Sequence, residues 1–257
     1  MDILKTSMRD VMGHCARVPL VRQMLFGLQN VRLRNHPYMR RHPFDVQYGI
    51  ETSGLVPPWM LRTGTIADAH AHAYAGCQPS CLRQALSILP HPQELTFVDL
   101  GCGKGRGLVV ASERQFGRIL GIELAPSMVA VAERNSRIIR RMHPQRTPIE
   151  VVQGDASAVS LPSGDLALFL HHSFGRQLVQ QLVKRIVDLG GQADREIFFI
   201  YENPVYGDVV EETKLFTKFF EAVIPCTPEE QGYAPDDCDK VAVWRIAGRS
   251  RRHAVAT

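Results

Sequence analysis

The stretch Phe97-Val98-Asp99-Leu100-Gly101-Cys102-Gly103-Lys104-Gly105-Arg106-Gly107 sets a carboxylate at the end of an apolar run and follows it with a glycine-rich turn. Glycines in such a turn let the backbone approach a ligand closely and supply φ values that other residues avoid. Two more acids close apolar runs further on: Glu123 after Gly121-Ile122, and Asp155 within Gly154-Asp155-Ala156. A carboxylate in the place of Glu123 can accept both hydroxyls of a ribose, and one in the place of Asp155 can accept from the exocyclic amine of adenine. Acids at three successive strand ends describe a nucleoside site; the plainer alternative is that Glu123 and Asp155 begin turns.

Two nucleotide-like ligands compete for the glycine loop. A dinucleotide fingerprint wants G-x-G-x-x-G, with the helix start aimed at a pyrophosphate. Here the third glycine comes one position early, as Gly105, and Arg106 takes the dinucleotide position. Asp99 would repel a pyrophosphate, but it would attract the ammonium and sulfonium end of S-adenosylmethionine.

These residues need a sheet to hold them. From Leu95 onward short apolar runs alternate with helical patterns, which implies crossover units and a parallel sheet. Strands are predicted at 96–100, 118–124, 149–153, 166–170, 197–201 and 241–246. Helices are predicted from the glycine turn to about Phe116, and over 126–142, 177–189 and 209–222. The last strand has no helix after it and suits an antiparallel insertion at the sheet edge. Upstream, apolar residues recur at helical spacing in Ile3–Cys15 and Val21–Val31. Residues 35–65 are rich in proline and glycine and read as a connector, and 67–89 reads as an interrupted helix ended by Pro90 and Pro92. The division expected is a helical N-terminal extension or lid over 1–65 and an α/β domain over 66–257.

Val98 to Gly105, Gly121-Ile122-Glu123 and Gly154-Asp155-Ala156 resemble the first three motifs of class I S-adenosylmethionine-dependent methyltransferases. The resemblance is good over 95–205. It implies a doubly wound, mostly parallel, seven-stranded Rossmann-like sheet whose last strand is antiparallel. A closer similarity is to a bacterial subgroup of unassigned substrate, through Asp45-x-x-Tyr48-Gly49-x-x-Thr52 and Gly103-Lys104-Gly105-Arg106. Protein-lysine methyltransferases share less distinctly a tyrosine–proline segment, here Tyr74 and Pro79. Carried over residue by residue, the resemblance implies that Asp99, Gly101, Cys102, Gly103, Gly105, Glu123, Leu124, Asp155 and Ala156 bind the cofactor. Tyr48 and Thr52 would belong to a lid over its methionine end, unless they simply pack the connector.

The same fold turns the end of the fourth strand toward the transferred methyl. The subgroup has tyrosine-asparagine-proline-phenylalanine there; this chain keeps Phe174 and departs at His171, His172 and Ser173. Methyl transfer needs alignment first and a base only if the acceptor arrives protonated. His171 or His172 suits that task near neutral pH, against the alternative that one packs and the other is solvated. Glu202 and Asn203, ending the fifth strand, would orient a polar acceptor, so the catalytic candidates are His171, His172 and Glu202, and the substrate-binding ones Phe174 and Asn203.

His70, His72, Cys77 and Cys81 lack a familiar zinc spacing, and no metal site is expected. With 257 residues, 45% hydrophobic and 22% charged, the chain is an ordinary globular protein that can bury a core without staples. Its six scattered cysteines suit reduced thiols in a cytoplasm, and neither a signal peptide nor a membrane span is read. The net charge of +4 is too mild to argue for nucleic acid, and the basic N-terminal run lacks the aromatic platform that single strands prefer. The expected partner is therefore a small-molecule or protein methyl acceptor. The rival readings are a non-catalytic cofactor-binding scaffold or sensor and a nicotinamide-dependent dehydrogenase.

Overall fold

The computed structural model describes residues 33–61, 63, 72–171, 174–192 and 194–248. The helical patterns read at 3–15 and 21–31 lie outside them, as do His70, His172 and Ser173.

Seven strands form one sheet: β1 (Thr96–Leu100), β2 (Arg118–Glu123), β3 (Ile149–Gln153), β4 (Leu166–His171), β5 (Ile197–Glu202), β6 (Thr217–Pro225) and β7 (Cys238–Ile246). Their order is β3-β2-β1-β4-β5-β7-β6. The first five are parallel, and β7 runs antiparallel between β5 and β6. Strands β1, β4 and β5 are apolar almost without interruption because both of their faces are covered. Successive side chains enter separate cores: Phe97, Phe198 and Ile200 on one face, and Val98, Leu100, Phe199 and Tyr201 on the other.

Helices α1 (Pro43–Tyr48), α2 (Pro79–Ser87) and α3 (Arg106–Ala111) supply the first core, joined by Ile139 of α4 (Pro126–Met142). The second is closed by α5 (Arg176–Gln192) and α6 (Gly207–Glu211). Helix α4 shows how the sequence makes these elements. Pro126 opens it, where a missing N–H costs nothing; Met128, Val129, Ala132 and Ile139 form one buried stripe; Arg140 and Arg141 face the negative end of the helix dipole. The chain passes outward from β1 to β2 and β3 and then crosses back to β4. The switch point, where ligands of open parallel sheets lie, is therefore between β1 and β4.

Three sequence expectations need correction. Of the helix predicted over 67–89 with an interruption near Gly76 and Pro79, the described part is helical only over Pro79–Ser87; residues 72–78 are not helical, and Tyr74 pairs in an isolated bridge with Val56. Proline disfavours helical geometry in the residue before it, and Gln78 is extended. The helix predicted to about Phe116 ends at Ala111. The helix predicted over 209–222 stops at Glu211, and residues 217–225 form β6. Lys214, at φ 56°, turns the chain. Phe220, Ala222 and Ile224 then face inward while Phe219 and Val223 face out, a period of two that pairing with β7 selects.

Among residues 33–61, no segment adds a strand to the sheet. Phe44, Tyr48 and Ile50 nevertheless sit in the core that they share with α2, α3 and β1.

Candidate functional site

A cavity of about 300 Å³ opens at the carboxyl ends of β1, β2 and β4. Its floor is the turn between β1 and α3. Gly101, Gly103 and Gly105 have φ of 83°, 53° and 85°, a left-handed path that favours glycine. Space forbids side chains as well: a Cβ on Gly103 would lie 2.2 Å from the Tyr74 ring, and one on Gly107 2.6 Å from Asp99 Oδ2. This is a cradle of bare backbone beside a buried acid.

Asp99 is 4% exposed, and burial, then the nearby Glu123 carboxylate, pushes its pKa well above the usual range. Glu123 accepts the N–H of Gly103 at 2.9 Å through Oε2 and that of Ala125 at 2.8 Å through Oε1. Burial raises its pKa and these backbone donors oppose the shift. Asp155 Oδ1 accepts the N–H and the hydroxyl of Ser157 at 2.8 and 2.7 Å, which fixes the carboxylate at the cavity wall.

The cavity lining brings together Asp99, Gly101, Cys102, Gly103, Glu123, Leu124, Asp155, Ala156, His171, Phe174 and Asn203, all singled out from the sequence. Asn203, at φ 52°, turns the chain out of β5 while its N–H donates to the Lys240 carbonyl at 2.7 Å. Four other candidates are not in the lining. Gly105 caps α3 behind the loop. Glu202 is fully buried beneath His171, accepting the Gln78 N–H at 2.8 Å, with the His171 Nε2 3.9 Å from its Oε1. Tyr48 packs against Phe44 and donates its hydroxyl to Glu113 at 2.9 Å. Thr52 lies behind Arg106. Its hydroxyl donates to Asp45 Oδ1 and accepts the Arg106 Nε–H at 2.7 Å.

Asp45, Thr52, Lys104 and Arg106 explain why the two upstream motifs go together. Helix α1 is opened by Pro43 and ended by Gly49 in a left-handed turn at φ 61°. The chain then folds back, and Asp45 Oδ2 accepts the N–H groups of Thr52 and Ser53 and the Ser53 hydroxyl, each at 2.7 Å. Arg106 reaches this turn from the glycine loop and also donates to the Cys77 carbonyl at 3.3 Å. Lys104 donates to the Ser53 carbonyl at 2.7 Å, and Asn135 holds both segments by donating to the carbonyls of Glu51 and Lys104, each at 2.9 Å. The loop cations thus tie the N-terminal segment to the glycine turn.

Sequence reasoning missed Tyr38, Tyr74, Cys77 and Phe169 in the lining. Tyr74 donates its hydroxyl to the Thr52 carbonyl at 2.7 Å and presses its ring on Gly103. Tyr38 is pushed up to about 12 by burial and the charges of Asp239 and Glu202. A tyrosine over a side-chain-free glycine was legible only as two separate residues.

The sheet order and the acid–glycine site at its switch point define a class I, Rossmann-like methyltransferase fold. Residues 97–190 match the family model described as "Methyltransferase domain". No curated protein matches the chain. An RNA methyltransferase from Salinibacter ruber, in complex with S-adenosyl-L-homocysteine, is a similar solved structure at 19% identity and a TM-score of 0.40, over 65% of this chain and 90% of that one. Magnesium protoporphyrin IX methyltransferase from Synechocystis PCC 6803, with S-adenosylmethionine bound, is similar at 14% identity and a TM-score of 0.43, over 64% and 74%. Ribosomal protein L11 methylase from Lactobacillus delbrueckii subsp. bulgaricus is similar at 12% identity and a TM-score of 0.41, over 64% and 75%. At these values none of them speaks for this chain's acceptor.

Proposed function

We infer that the protein transfers a methyl group from S-adenosylmethionine to an oxygen or nitrogen atom of a small molecule or protein. The observation that carries this reading is the buried Asp99 beside a backbone cradle, with Glu123 and Asp155 along one wall. A carboxylate so placed is relieved by a cation, and the cofactor offers an ammonium and a sulfonium at one end. Glu123 holds the ribose hydroxyls and Asp155 the adenine amine, while Gly101, Cys102, Gly103, Leu124 and Ala156 admit the nucleoside between them. The cofactor supplies an activated methyl on sulfur. The chain's work is to align the acceptor in line with it and to exclude water.

The acceptor lies at the end formed by His171, Phe174 and Asn203. In the metal-free protein His171, whose Nε2 lies 3.9 Å from Glu202 Oε1, takes a proton from the acceptor. His172 is a second candidate for the same role. Residues 33–61 act as an extension over the site, a role that the Asp45–Thr52–Arg106 ties support. The five described cysteines are free thiols, which suits a reducing compartment such as the cytoplasm. No described helix is long and apolar enough to cross a membrane.

The test is transfer of radiolabelled methyl to a panel of small molecules and proteins, followed by kinetics of His171→Asn on the acceptor found. The expected result is a turnover lower by about 10²–10⁴-fold with cofactor affinity nearly constant, recovering at high pH where the acceptor deprotonates unaided. Cofactor binding without turnover across the panel would favour a scaffold or sensor instead.

A further inference from the structure

Beyond the cofactor cradle, three potential metal-ligating side chains converge from three neighbouring strands. His171 ends β4, Glu202 ends β5 and Asp239 begins the antiparallel β7 beside them. One ligand atom from each lies within 4.8 Å of the others. The pairing explains the convergence: His171 is the register partner of Glu202, and the antiparallel run of β7 brings its first residues to the edge where the parallel strands end.

The cluster carries more negative charge than its surroundings balance. Glu202 is fully buried, and its Oε2 receives no N–H or hydroxyl and faces only the Asp239 carboxyl of the cluster. The Arg106 guanidinium directs its donors elsewhere, to Thr52, Cys77 and Ser53. The carboxyl groups of Glu202 and Asp239 thus share one point beside the imidazole. Such a pair is relieved by a shared proton or by a cation. The imidazole favours the cation, because it adds a neutral donor at the same point.

We propose that His171, Glu202 and Asp239 form a binding site for one divalent transition-metal ion of the Mn²⁺, Fe²⁺ or Zn²⁺ class, facing the acceptor end of the cavity. One imidazole nitrogen and two carboxylates are the donor set that this class accepts and that leaves positions open for a further ligand. Donors bound at about 2.0–2.2 Å to a tetrahedral ion sit roughly 3.5 Å apart, so the site must close by little more than an ångström. Of the three ligands His171 lines the cavity, which links the site to it. If methyl transfer is the reaction, the bound ion acidifies an acceptor hydroxyl in place of the imidazole base. That clause rests on the function proposed above; the site itself does not.

The experiment uses the full chain, stripped with a chelator and free of S-adenosylmethionine, titrated with Mn²⁺ and followed by the electron paramagnetic resonance of the free ion. Manganese is the probe because Cys238, exposed beside Asp239, would compete for zinc. The expected result is one Mn²⁺ per chain, bound at least tenfold more weakly by Asp239→Asn and by Glu202→Gln, and displaced by Zn²⁺ in the parent protein. Both variants keep side-chain shape, and circular dichroism checks that they are folded. Absence of stoichiometric binding, or binding unchanged in both folded variants, would overturn the site and leave the pair sharing a proton. Either result is independent of whether the protein methylates anything.

Discussion

Replacing Asp45 with alanine should destabilise the protein by about 3–5 kcal/mol, the usual cost of stripping one partner from a buried, hydrogen-bonded charge. The structure gives the reason. Asp45 is 1% exposed, and its carboxylate receives two backbone N–H groups and two hydroxyls from Thr52 and Ser53. Its Oδ1 also lies 3.9 Å from the buried Arg106 guanidinium. Each charge-assisted bond is worth about 1.5–3 kcal/mol, but they share one carboxylate and do not add, which keeps the total near the stated range. For a chain of this size the loss corresponds to a fall in Tm of roughly 6–20 °C. Asp45→Asn keeps the shape and part of the bonding, and should lose about half as much. The comparison is Asp188→Ala, which breaks an exposed ion pair with Lys184 and should cost under about 1 kcal/mol. Urea unfolding of the three variants measures all of this. An Asp45→Ala variant within about 1 kcal/mol of the parent would refute the claim that this turn ties the N-terminal segment to the glycine loop.

Glu123→Ala should weaken S-adenosylhomocysteine binding by about 1.5–3 kcal/mol in calorimetry; an unchanged affinity would make Glu123 a turn residue only. Binding of the cationic cofactor favours the ionised forms of Asp99 and Glu123, both raised in the free protein, so any proton exchange linked to these groups should be release and not uptake. Titrations in buffers of different ionisation enthalpy would show the release, and net proton uptake would contradict it. His42, buried and lowered to about 4 by burial and then by Arg106, stays neutral in the fold while the unfolded chain takes up a proton below about 6.5. Stability should therefore fall between about pH 6.5 and 4, by up to ~3 kcal/mol from this group, and His42→Gln should flatten that part of the pH profile.

The sequence carried most of the sheet because local and global signals agreed there. Strands β1, β3 and β4 and helix α4 follow from apolar runs, a helix-opening proline and single stripes. The acids at the strand ends were legible for the same reason: a strand that ends at a glycine turn fixes where its last side chain goes. What escaped depended on partners distant in sequence. Strand β6 reads as the end of a helix until β7 pairs with it. Tyr48 and Thr52 were marked through a motif whose residues serve the fold: the hydroxyl of one binds Glu113, and that of the other relays between Asp45 and Arg106. Asp239 was invisible because nothing in its own neighbourhood foretells that β7 would carry it to His171 and Glu202.

The central claim is that the acid–glycine cradle holds S-adenosylmethionine and rejects a dinucleotide. Calorimetric titration of the full chain with S-adenosylhomocysteine and, separately, with oxidised and reduced nicotinamide dinucleotides tests it most directly. One S-adenosylhomocysteine should bind per chain, with no heat from either dinucleotide. Saturable dinucleotide binding with silence toward S-adenosylhomocysteine would contradict it.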